Sequence, residues 1–138
     1  MYVVMVAPEC APVAKTGGLA AWVFGLSREV EIRRHVVEIA LPRYQNMRYL
    51  NVWDFQVSCH DLWVPWYCGA IRCAVWFGHV HGRRCSFLEP HSADHFFHWE
   101  RAYGYHDDVE RFAFFSKAAL EFLLRAGNRP DVIHCHDW

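Results

Sequence analysis

The sequence contains no apolar run approaching the roughly 20 residues needed to cross a bilayer, so no transmembrane helix is expected. It also lacks any basic cluster longer than Arg33-Arg34 or Arg83-Arg84. Fourteen Lys and Arg against fifteen Asp and Glu leave a formal net charge of −1, which gives no basis for a phosphate-neutralising nucleic-acid surface. No basic segment precedes the opening run Met1-Tyr2-Val3-Val4-Met5-Val6-Ala7. That run leads straight into Pro8 and Glu9, reads as a buried strand rather than a signal peptide, and points to a cytosolic or organelle-stromal setting. There is no C-x-x-C pair, and Cys10, Cys59, Cys68, Cys73, Cys85 and Cys135 are scattered through apolar segments. They are expected to be reduced and mostly buried. No repeat, low-complexity tract or Gly/Ser/Pro linker divides the chain.

What is present is enough for one core. A chain of 138 residues has single-domain length, and 54% hydrophobic with 21% charged residues excludes disorder. Residues 2 to 7 form a continuous apolar run of the kind buried on both faces of a parallel sheet. After a Pro-containing loop, a helix is predicted from Gly17-Gly18 to Arg33 or Arg34, with Leu19, Trp22, Val23, Leu26 and Val30 inward and Arg28, Glu29, Glu31 and Arg33 outward. A second apolar run, residues 36 to 41, stops at Pro42, which makes residues 2 to 41 a βαβ unit with an expected right-handed crossover. From about Val52 to Leu88, short stretches of Val, Trp, Phe and Tyr predict a meander of three or four strands, broken at Asp61, Cys68-Gly69 and Gly82-Arg83-Arg84. A histidine-bearing loop follows. Asp107-Asp108 then caps a helix carrying Phe112, Phe115, Ala119, Leu120, Leu123 and Leu124, which Gly127 and Pro130 end. Residues 131 to 135 read as another buried strand. The expected fold is α/β, a Rossmann-like parallel sheet with a central meander and helices on its faces. Such a sheet normally has a helix returning from its last strand, so further chain is expected beyond Trp138.

Two segments carry candidate chemistry. The first is Glu9 to Leu19, where Lys15 stands beside Gly17-Gly18 at the start of the first helix, glycines allow close approach, helix N–H groups offer partial positive charge and the lysine adds a full one. The pattern matches neither the dinucleotide fingerprint nor the phosphate loop, so a glycine turn serving only close packing remains the alternative. The second is His134-Cys135-His136-Asp137-Trp138, whose period of two puts both histidines on one side. Both segments follow strands at the carboxyl edge, where open α/β sheets bind ligands. A satisfied core His134 followed by a simple turn is the alternative reading.

These residues resemble those of the bacterial and plant glycogen and starch synthases. Glu9-Cys10-Ala11-Pro12-Val13-Ala14-Lys15-Thr16-Gly17-Gly18-Leu19 is similar to their amino-terminal signature, and Ile133-His134-Cys135-His136-Asp137-Trp138 to their later His-rich one. Gly25-Leu26-Ser27-Arg28-Glu29, Leu62-Trp63-Val64-Pro65-Trp66-Tyr67, Phe87-Leu88-Glu89-Pro90-His91-Ser92 and the segment from Arg111 to Glu121 agree in order and spacing. The resemblance implies retaining transfer of glucose from ADP-glucose to the non-reducing end of an α-1,4-glucan, in a cleft between two Rossmann-like domains (the GT-B arrangement). Residues 1 to 138 would be most of the amino-terminal domain. Lys15 with Gly17 and Gly18 would then lie by the donor phosphates and sugar, His136 would contact the transferred glucose as the catalytic-site histidine, and Asp137 would join the substrate site. No metal ion or other cofactor is implied.

The sequence departs from that family in places. Family members usually carry Asp at the position of Ala21, and losing a charged acceptor for a sugar hydroxyl costs about 1.5 to 3 kcal/mol. The expectation is a rate penalty of tens-fold, which Ala21→Asp in a complete enzyme reverses. Arg34 and Ala93 replace expected glycines, Arg34 in a left-handed cap that costs a side chain about 1 to 2 kcal/mol. The family's second domain is absent from these residues, so the isolated chain should not catalyse transfer efficiently. Three other readings compete. His79, His81 and Cys85, or His91, His95 and His98, would form a metal site only if about four ligands converge. Trp53, Trp63, Trp66, Trp76 and Trp99 would hold glucan if exposed, although alternating Trp and Val more often marks a packed sheet. An unpaired sheet edge would drive self-association.

Overall fold

The computed structural model describes every residue from Met1 to Trp138. The apolar run at the start becomes β1 (Tyr2–Val6), the glycine pair opens α1 (Gly18–Ile32), and the second run becomes β2 (Val36–Pro42). The aromatic stretch folds as β3 (Trp53–Trp66), β4 (Gly69–Val80) and β5 (Arg83–Pro90), followed by α2 (Asp108–Arg125) and β6 (Val132–Cys135). All six strands share one sheet in the order β3-β4-β5-β2-β1-β6. β5, β2, β1 and β6 run parallel, while β3, β4 and β5 form an antiparallel meander. This is the expected α/β architecture.

β1 is flanked by β2 and β6, which is why Val4 and Met5 are wholly buried. Beside it in the sheet, the buried Glu38 of β2 accepts hydrogen bonds from Tyr2 Oη at 2.9 Å and Ser86 Oγ at 2.6 Å. Burial of this carboxylate is tolerated because both oxygens are partnered. At Gly78 a Cβ would lie 3.1 Å from the Trp53 carbonyl oxygen and closer still to Val52, so only glycine lets β3 cross there. β4 and β5 join through His81 and Gly82 at φ 49° and 81°, a two-residue turn whose twist suits a hairpin.

Several expectations are corrected. Asp61 does not break a strand: β3 runs through it and absorbs the mismatch as register shifts against β4 between Cys59 and Leu62. β6 is not buried, because it is the sheet's edge; Val132, Ile133 and Cys135 are exposed. On α1 the buried face is Ala20, Val23 and Ser27, with Leu19, Leu26 and Val30 half-buried, while Trp22 is 55% exposed. Small side chains at positions 20 and 27 let the helix lie close on the sheet, which turns Trp22 outward. On α2 the predicted Phe112, Phe115, Ala119 and Leu123 are buried, but Leu120 and Leu124 are exposed, and Phe114, Ala118 and Phe122 complete the stripe instead. None of the five tryptophans named for the meander and loop is fully buried: Trp53 and Trp63 are 69% and 58% exposed and Trp99 is half-buried, while the half-buried Trp66 and Trp76 pack against the core. Trp53 and Trp63 are exposed because they lie on β3, the opposite edge strand. Only Cys10, Cys73 and Cys85 are buried; Cys59 is half-buried, Cys68 and Cys135 are exposed, and all six are free.

Candidate functional site

The loops that follow β1, β2 and β5 meet at the carboxyl edge of the parallel strands, and hydrogen bonds between them fix their positions. Arg48 N donates to the Val13 carbonyl at 3.0 Å, Gln45 N to Phe97 O at 3.1 Å, and Asn46 Nδ2 to Glu100 O at 2.5 Å. Tyr44 Oη, buried, donates to Pro8 O at 2.7 Å. Between the loops opens a cleft of about 460 Å³ lined by Lys15, Thr16, Asn46, Arg48, Arg101 and Tyr103, among others. Position and lining both fit the rule that open α/β sheets bind ligands outside the carboxyl ends of their strands.

The Lys15 loop is held from beneath. Glu9 is only 3% exposed, and its Oε2 accepts N–H bonds from Thr16 at 2.6 Å and Gly17 at 3.0 Å. A reciprocal pair of 2.9 Å backbone bonds between Cys10 and Ala14 closes the loop's neck. Lys15 is thereby presented, exposed, to the cleft. This corrects one expectation: the Gly17 N–H is engaged by the protein's own carboxylate and is not free to cradle an anion. Gly17 serves as helix N-cap residue in an extended conformation, no side chain caps α1, and Gly18 begins the helix. The helix start therefore retains unsatisfied N–H groups. Ala21 is exposed in that first turn, which carries no acidic residue.

His136 lies next to this loop because β6 pairs with β1: Val6 is opposite Cys135, and His136 N donates to Val6 O at 2.9 Å. The expected period of two holds, since the rings of His134 and His136 stack at 4.2 Å. Trp22 meets both edge-on, at 6.3 and 5.4 Å. His136 is 5% exposed and its Nε2 is buried without a hydrogen-bond partner. Burial, and then the neighbouring His134, hold its pKa below the usual 6.5, with Asp137 opposing them. The imidazole is neutral at neutral pH and keeps one nitrogen unused, which suits it to hydrogen-bond a sugar hydroxyl. Asp137 is exposed, at φ 59°. Trp138 stacks on Phe112 at 5.4 Å and on Tyr103 at 6.4 Å, so the His-rich segment reaches the cleft wall through Tyr103.

Lys15 alone among the predicted residues lines the cleft. His136 and Asp137 follow β6, the strand beside β1, and Gly17 and Gly18 lead from the Lys15 loop into α1. Sequence reasoning missed Asn46, Arg48, Arg101 and Tyr103, and gave Glu9, although inside the candidate segment, no role of its own. Glu9 left a usable signal, a carboxylate in an otherwise apolar stretch; the others sit in loops whose meeting no local pattern reveals. The histidines weighed as metal ligands do not converge, and no group of three His, Cys, Asp or Glu side chains is placed to hold an ion.

A Rossmann-like sheet with a polar cleft and a histidine-bearing rim at its carboxyl edge defines a ligand-binding α/β domain. Comparison with known proteins then specifies it. The family described as starch synthase catalytic domain matches residues 2–138. Glycogen synthase 2 of Methylococcus capsulatus is 64% identical over 133 residues, covering 96% of this chain and 27% of that protein. Glycogen synthase 1 of Synechococcus sp. (strain JA-3-3Ab) is 61% identical over 138 residues, covering all of this chain and 28% of that protein. The solved catalytic domain of starch synthase IV from Arabidopsis thaliana, bound to ADP and acarbose, superposes with a TM-score of 0.96 at 43% identity, over 99% of this chain and 28% of that one. The chain belongs to the starch synthase catalytic domain family. It spans a little over a quarter of the length of these relatives.

Proposed function

We propose that residues 1 to 138 are the amino-terminal part of a glycogen or starch synthase, one wall of the cleft in which glucose passes from ADP-glucose to the non-reducing end of an α-1,4-glucan. The observation that carries this reading is the joined rim: Lys15 in the cleft, and the buried, neutral His136 with an unused Nε2, brought together by β1–β6 pairing. In this reading Lys15 and the Gly18 helix start face the donor's phosphates, His136 hydrogen-bonds the transferred glucose, and Asp137 lines the substrate site. A cation and helix N–H groups stabilise the departing nucleotide, and the rest of the enzyme closes the cleft against water. That relatives are bacterial glycogen synthases and a chloroplastic or amyloplastic starch synthase supports a cytoplasmic or plastid setting. No helix is long and apolar enough to cross a membrane.

The test is a calorimetric titration of the chain with a malto-oligosaccharide and, separately, ADP-glucose, with transfer followed in the mixture. Glucan or nucleotide-sugar binding without transfer is the expected result. Transfer by the chain alone would overturn the requirement for a second domain, and silence in all three channels would overturn the reading itself. A second reading, a module that holds glucan without chemistry, is favoured by the outward Trp53 and Trp63 on β3. It requires that malto-oligosaccharide protect the exposed tryptophans from a collisional fluorescence quencher.

A further inference from the structure

Three cationic side chains, Lys15, Arg48 and Arg101, line the 460 Å³ cleft against one carboxylate, Glu100. None of the three cations is ion-paired within the protein, whereas most other arginines of the domain are: Arg33, Arg43, Arg72, Arg83, Arg84 and Arg111 each face a carboxylate. Unpaired cations gathered from separate loops repel one another, and a polyanion relieves that repulsion. Their placement is fixed by backbone. The Arg48 N–H bond to Val13 O sets Arg48 two residues from Lys15 across the loop junction, and the Asn46 bond to Glu100 O draws Arg101 to the same opening. Tyr103 contributes its ring to the cleft wall beside Arg101, its hydroxyl being buried towards Glu9. Meanwhile the Thr16 and Gly17 N–H groups are committed to Glu9. The positive potential of this rim therefore comes from side chains more than from the glycine loop.

We propose that Arg48 and Arg101 form, with Lys15, a phosphate-binding set, and that a phosphate-bearing ligand occupies the cleft. The proposal rests on the glucosyltransferase reading for its preferred ligand, the diphosphate of a nucleotide sugar; a free sugar phosphate offers the same chemistry. Arginine suits either, because its planar fork binds phosphate oxygens in pairs.

The experiment is calorimetric titration of the chain with inorganic pyrophosphate, ADP and glucose 1-phosphate, comparing the parent with Arg48→Gln, Arg101→Gln, the double variant, and Arg129→Gln as an exposed control outside the cleft. All substituted side chains are exposed, so folding is expected to persist, and an unchanged melting midpoint verifies it. Pyrophosphate is expected to bind the parent, each single variant to lose about tenfold in affinity, the double variant to lose binding, and the control to match the parent. ADP binding without glucose 1-phosphate binding identifies the donor diphosphate, and the reverse identifies a sugar phosphate; either supports the set. Affinities that do not change on removing both arginines would overturn the proposal, as would failure of all three probes to bind. If pyrophosphate binds through the arginines but ADP-glucose and glucan do not, the glucosyltransferase reading falls and the anion site stands. If ADP binds equally well to the double variant, the reverse holds.

Discussion

Arg34 sits at φ 64° just past α1, with its N–H donating to Glu31 O at 2.8 Å. That left-handed conformation costs a side chain about 1 to 2 kcal/mol, of which glycine's greater freedom in the unfolded chain returns about half. Arg34→Gly is therefore expected to stabilise the domain by about 0.5 to 1 kcal/mol, raising the thermal midpoint by about 2 to 4 °C. An unchanged or lowered midpoint refutes the strain argument. Ala93, the other position where glycine was expected, does not adopt positive φ, so the same substitution there brings no gain; His95 and Phe97 of that loop do. His136 sets a pH dependence. Its folded pKa is lowered by burial and by His134, so the folded state disfavours the protonated form. The neutral form's stabilising contribution is complete above the ordinary histidine value and is lost as pH falls below about 6.5 through the lower folded value. Denaturant midpoints measured from pH 7.5 to 5 should fall for the parent and flatten in that window for His136→Gln. Parallel curves would remove His136 as the cause.

At the scale of elements, α2 depends on one buried cation. Arg111 is fully buried, donates to the Ala102 carbonyl, pairs with Asp108 at 2.5 Å and lies 3.8 Å from Asp107. Its guanidinium also sits 4.9 to 5.5 Å from the ring centres of Phe112, Tyr105 and Phe97. Burial alone works against the Asp108 carboxylate, but N–H bonds from Gly104 and Tyr105 and the Arg111 guanidinium outweigh it and hold its pKa below the usual value. Arg111 thus locks the residue 94–107 loop, and with it Arg101 and Tyr103, onto the helix. Arg111→Ala removes the one cation facing Asp107 and Asp108 and should cost about 3 to 5 kcal/mol. Urea unfolding tests this; a loss under about 1 kcal/mol would show that the loop is held by its aromatic contacts instead.

At the scale of the molecule, the sheet has two unequal edges. β3 carries exposed Asp54, His60 and Asp61 together with a register break, features that discourage pairing. β6 is short but presents Val132 and Ile133, with Trp22 and Trp138 exposed nearby. Self-association through β6 is the expected outcome at high concentration, and Ile133→Lys should abolish it in sedimentation experiments. A clean monomer for the unaltered chain would count against the edge.

What the sequence by itself determined were the features written in short-range patterns. The βαβ start is legible because β1 is buried on both faces and α1 is amphipathic; the His134–His136 pairing is legible because a strand alternates with period two; the Arg34 strain is legible only through the resemblance, which puts a glycine at that position. Only the tertiary structure decided which strands became edges, and so why β6 and the β3 residues Trp53 and Trp63 are exposed. It also decided which distant loops meet. Glu9 takes the N–H groups assigned to a ligand, and Arg48, Arg101 and Tyr103 join Lys15 from segments tens of residues away. The physical reason is common to both: burial and electrostatic company depend on what lies across the sheet or across the cleft, and periodicity carries information only about a residue's own element.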